Sequence, residues 1–137
     1  MKKVIIIALL FGACTHYVKD KLIIKNNTKD EIWYSTFAKE DNLFTEISGG
    51  GIIEPGKNDS PPIRSNYISD ELSEYSNNKI LYVVFYKEPD QEYLRDNTSK
   101  VINGNTNEKY KIYKYSLDEL KKNNWRIIYN GYKVKKQ

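Results

Sequence analysis

The sequence predicts an all-β domain, a β-sandwich of immunoglobulin-like or similar type with one short helix near its C-terminal end. Three observations point to it. From Lys21 onward, runs rich in β-branched and aromatic residues alternate with turn residues about every ten positions, the spacing of sandwiches and barrels. Residues 79–86 are apolar on both faces, which suits a strand in the middle of a sheet. Residues 110–129 read as strand, helix and strand, with the helix start written into the side chains.

Taken in order, residues 21–26 alternate as a first strand, and Asn26-Asn27-Thr28-Lys29-Asp30 has the composition of a turn. Residues 31–38 resume with Ile32, Trp33, Tyr34 and Phe37, so the two runs are expected to form a hairpin. Residues 43–47 make a third strand, ended by Gly49-Gly50-Gly51. That triplet lacks the Lys-Ser/Thr ending and following helix of a phosphate loop, and it reads as a flexible turn. Pro55-Gly56 suits the middle of a type II turn. Pro61 and Pro62 offer no N–H to a ladder and exclude a central strand. Ser69 is the expected N-cap of one or two helical turns over residues 69–75. Residues 89–107, polar and rich in Asn, are expected to be loop, with a short strand near Val101 and Ile102.

After the strand at residues 110–115, Ser116 and Glu119 have the spacing of a capping box, in which each side chain bonds a backbone N–H at the helix start. Asn123-Asn124 ends that helix. Alternation then sets Trp125, Ile127 and Tyr129 on one face of a last strand. A core position for Trp125 implies that Trp125→Ala costs about 3–5 kcal/mol.

Residues 110–131 resemble the ending of small Bacteroidetes lipoproteins of unassigned activity. Those chains also close on a strand, a Tyr-x-Leu-x-x-Leu helix and an Asn-Trp-x-Ile-x-Tyr strand. The matching residues are Tyr115, Leu117, Leu120, Asn124, Trp125, Ile127 and Tyr129. The resemblance implies an exported β-domain and adds little about activity.

The first fourteen residues support export independently. Lys2 and Lys3 precede an unbroken apolar run over residues 4–10, and Gly12 and Ala13 lead into Cys14, the one cysteine of the 137 residues. The run is about half the roughly 20 residues that span a bilayer, and its length and flanks suit a signal peptide. The order resembles the lipobox of bacterial lipoproteins, with Phe11 where that pattern prefers Leu. The resemblance implies cleavage after Ala13 and acyl chains on Cys14, and two or more chains hold stably to a membrane. The competing readings are an ordinary signal peptide, or a buried first strand with an incidental cysteine. The expected organisation is a signal over residues 1–13, a tether over 14–20, a sandwich domain over 21–132 and a basic tail over 133–137. The expected location is the outer membrane, on its periplasmic face or at the cell surface.

Removing residues 1–13 leaves 124, enough for one domain to bury a core without disulfides. Lys2 and Lys3 leave with the signal, which lowers the formal charge from +4 to +2. The remaining charges are interspersed, and no basic stripe points to nucleic acid. Lys133, Lys135 and Lys136 suit a solvated terminus, or contact with anionic head groups.

Catalytic chemistry is not expected. His16, the one histidine, lies in the tether, and Cys14 is consumed by the lipid, so no Cys/His zinc site can be assembled. Asp70, Glu71 and Glu74 suit a solvated helix start, and Glu119 is accounted for by its cap. No cofactor or metal is implied. The binding chemistry lies in aromatics: Tyr82 and Tyr86 on one strand face, and Tyr113 and Tyr115 on another. Such rows stack on sugars or anchor a protein interface, and core packing is the competing reading. The expected function is a non-catalytic binding or accessory role in the envelope, toward a protein or glycan. The alternative is an immunity lipoprotein that neutralises a toxin directed at the periplasm.

Overall fold

The computed structural model describes residues 20–62, 67–104 and 109–131. The expectations for Cys14, His16 and the basic tail lie outside the described residues. The chain is mostly β and sandwich-like. A four-stranded antiparallel sheet runs in the order β3 (Leu43–Ile53), β2 (Ile32–Glu40), β5 (Ile80–Tyr86), β6 (Tyr110–Ser116). A smaller sheet runs β4 (Asn58–Asp59), β1 (Ile23–Asn26), β7 (Arg126–Tyr129), with β1 and β7 parallel. Three helices complete the described chain: α1 (Ile68–Tyr75), α2 (Gln91–Asn103) and α3 (Leu117–Lys122).

The larger sheet is covered on both faces, and strand alternation divides its residues between two cores. Ile32, Tyr34 and Ala38 of β2, with Leu81, Val83 and Phe85 of β5, pack on Leu22, Ile24, Ile127 and Tyr129 of the small sheet. Ile68 and Leu72 of α1 and Leu120 of α3 close that core. The alternate residues Phe37, Tyr82, Val84 and Tyr86 pack on the opposite side against Leu94, Val101 and Ile102 of α2. Hence β5 is apolar on both faces, as the sequence predicts for its central place.

Three expectations change. The first two strands do not form a hairpin: β1 pairs with β4 and β7, whereas β2 pairs with β3 and β5. Asn26 is the reason. Its buried side chain accepts from the Thr28 N–H and hydroxyl and donates to the Asp30 and Ile53 carbonyls, so the linker crosses between sheets. Residues 91–103 are helix, not loop and strand. Leu94, Thr98, Val101 and Ile102 recur at helical spacing and are the buried ones. Polar residues fill the outer face, and Asn97 breaks helical geometry while its side chain bonds the Tyr93 carbonyl. The glycine triplet is strand interior in β3, not a turn.

Smaller features divide similarly. Gly56 takes a positive φ of 71° and Lys57 N–H donates to Glu54, as the expected turn requires. Ser69 lies inside α1, whose N-cap is Tyr67, and its hydroxyl donates to Asp20 instead of capping. The capping box is present: Ser116 N–H donates to the Glu119 carboxylate at 2.7 Å, and Glu119 N–H donates to the Ser116 hydroxyl at 3.2 Å. At the other end of α3, Trp125 N–H reaches the Leu120 carbonyl and Asn124 N–H reaches Lys121, the bonding of a Schellman motif. Trp125 therefore belongs to the turn, with φ 59°, and is half-buried instead of fully core.

Candidate binding pocket

A cavity of about 280 Å³ opens between edge strand β3 and helix α2. Ser35 and Phe37 of β2 form its floor, Glu46, Gly49 and Gly50 of β3 one wall, and Gln91, Leu94 and Arg95 of α2 the other. The wall on β3 is shaped by two irregularities. Tyr34 pairs with Gly51 and Thr36 with Ser48, so Gly49 and Gly50 together face Ser35; Phe37 then pairs with Glu46, leaving Ile47 extra. Bulges of this kind leave a residue out of the ladder and re-aim its neighbours. Here Ile47 and Ser48, consecutive in sequence, are both buried, and Glu46 emerges on the α2 side beside Phe37. A side chain at Gly50 would collide with the Tyr34 carbonyl oxygen and place its Cβ 2.8 Å from the Ser35 hydroxyl and 3.4 Å from the Gln91 amide nitrogen. At position 50, only glycine fits this wall.

The α2 wall is held by a row of aromatics across three strands. Trp33, Tyr86 and Tyr110 are cross-strand neighbours. Trp33 stacks on Tyr86 at 6.4 Å, Tyr110 meets Tyr86 edge-on at 6.1 Å, and Tyr93 of α2 stacks on Tyr110 at 6.5 Å. Asp90, just before α2, accepts from the Tyr110 hydroxyl and from Lys109, the latter at 2.7 Å. Those two donors hold the Asp90 carboxyl below its ordinary range. The start of α2 is thereby fixed to the sheet.

The electrostatics of the cavity are mixed. Partial burial pushes the Glu46 carboxyl up, and the Arg95 charge pulls it back. The two do not close an ion pair within 4.0 Å, and among the described residues no hydrogen bond or ion pair holds either. Beneath them, burial raises the Tyr86 hydroxyl, while hydrogen bonding with Ser35, at 3.1 Å, and with Gln91 opposes the shift. Ser35 and Gln91 are thus anchored from behind. Among the described residues, no group of three His, Cys, Asp or Glu side chains could hold a metal ion, and no helix is long and apolar enough to cross a membrane.

The four tyrosines singled out by sequence do not form one surface. Tyr82 and Tyr86 are buried under α2, at 7% and 0% exposure. Tyr113 and Tyr115 lie half-buried on the opposite face, Tyr113 packing edge-on against Phe85 at 5.2 Å. None of the four lines the pocket; the Tyr86 hydroxyl bonds Ser35 and Gln91, which do. Glu46, Gln91 and Arg95 were missed because one lies beside a bulge and two on a helix read as loop. The adjacent glycines were the available signal, since glycine inside a strand marks a bulge or close backbone approach.

No known protein family, curated protein or solved structure matches the chain.

Proposed function

We propose that this chain is an exported, lipid-anchored and non-catalytic binding domain of the bacterial envelope, with the cavity between β3 and α2 as its recognition site. The observation that carries the binding half is the cavity itself, with Glu46 and Arg95 both lining it and no ion pair closed between them. Its lining supplies one carboxylate, Glu46, where two-carboxylate glycoside hydrolysis needs a facing pair. The order of residues 1–14 supports the anchor, through Cys14 and by preference at the outer membrane. The architecture is read as sandwich-like in a broad sense. A parallel β1–β7 pair and a helix covering the outer sheet face set it apart from the immunoglobulin arrangement of two antiparallel sheets.

The test is a pull-down of the lipidated chain from native membranes, with Cys14→Ala as the unanchored control. Membrane-bound wild type and soluble variant are expected, without a stoichiometric toxin partner. One stoichiometric toxic protein would replace this reading with an immunity role. A wild type that is soluble would remove the anchor.

A further inference from the structure

The chemistry of the cavity narrows what it can hold. Its two walls carry opposite charges, Glu46 on β3 and Arg95 on α2. A ligand with a single charge would satisfy one wall and bring a like charge toward the other. A neutral ligand would cover both charges and bring a partner of opposite sign to neither, which is costly to the extent that the groups lose water. A molecule bearing both charges avoids each penalty. The remaining lining fits such a ligand: Ser35 and Gln91 offer fixed hydrogen-bonding groups over the nearly buried Phe37 and Leu94, and the Gly49–Gly50 bulge brings backbone close to the opening. The volume, about 280 Å³, lies just below the usual range for ligand sites and suits a small molecule.

We propose that the cavity binds a small zwitterion, with Glu46 receiving its ammonium group, Arg95 its carboxylate, and the ligand's remainder lying over Ser35 and Phe37. A free amino acid and a short peptide share this chemistry. The assignment rests on reading the chain as a binding domain and names the ligand class of that site.

Isothermal titration calorimetry on the whole chain tests it, with L-leucine and glycyl-L-leucine as probes. N-acetyl-L-leucine lacks the ammonium and L-leucinamide lacks the carboxylate. Saturable binding of at least one zwitterion is expected, weakened about tenfold or more by either block and by Glu46→Gln or Arg95→Gln. Both side chains are exposed, so the variants should keep the wild-type circular dichroism spectrum. Binding of L-leucine would assign free amino acids, and binding of the dipeptide alone would assign peptides. No saturable binding of either probe, or equal binding of the blocked forms, would overturn the proposal. If the membrane pull-down still returned an anchored chain, the zwitterion site would fall and the anchored-domain reading would stand.

Discussion

The Asn26 side chain bonds four groups on Thr28, Asp30 and Ile53 from a site closed to solvent. Asn26→Ala should cost about 2 kcal/mol, because it leaves the buried Ile53 carbonyl without its donor. A urea midpoint unchanged from wild type would contradict this. Trp125 carries the opposite lesson. Alternation places it in the core, but a left-handed backbone in the Schellman turn holds it half in solvent. Trp125→Ala should therefore cost about 1–2 kcal/mol, below the core value, as half-burial of a large side chain implies. Trp125→Gly should cost less than the alanine variant, since glycine takes positive φ without strain. An alanine loss above 3 kcal/mol in urea unfolding would place the ring back in the core. Glu46 completes the residue scale. Its raised carboxyl pKa means that its ionisation weighs against folding, an effect absent at low pH and growing as pH rises through the folded value. Glu46→Gln should leave the thermal midpoint at pH 7 equal to or above wild type; a clear drop would show that the charge is structural.

At the scale of elements, α3 was legible and α2 was not, for one physical reason. The start of α3 is specified by two local side chains, Ser116 and Glu119, whose spacing is visible in sequence. Helix α2 has no side-chain cap bond, bends at Asn97, and is stabilised by four buried residues facing a sheet that only the folded chain supplies. Ser116→Ala should cost about 1 kcal/mol. The two anchored carboxylates set the acid limit. Glu119, held by the Ser116 N–H and hydroxyl, and Asp90, held by Lys109 and Tyr110, both titrate below their ordinary values. Their contribution is fully present above the unfolded carboxyl pKa, about 4, and is lost as pH falls through the lower folded values. The thermal midpoint should not drop above about pH 5, any change through Glu46 being upward, and should fall below it, with a shallower fall in Asp90→Asn and Glu119→Gln. An unaltered slope in both variants would contradict the assignment.

The whole molecule is tied together by β1 and β7, distant in sequence and parallel in space. Sequence reading recovered the strand-rich character, the central strand β5 and the closing strand–helix–strand, all encoded locally. Sheet order was beyond it, because the β1–β7 pairing is decided by burial of Ile24, Ile127 and Tyr129 against the larger sheet. The pocket was hidden for the same reason, being assembled from β2, β3 and α2 only after a bulge and an unread helix meet. The function proposed at this scale joins that pocket to a membrane through Cys14. The most direct test is the intact mass of the native chain extracted from membranes. The expected product begins at Cys14 and carries a diacylglyceryl group on sulfur and an acyl chain on its amino group. A chain with an unmodified Cys14, recovered from the soluble fraction, would contradict the account.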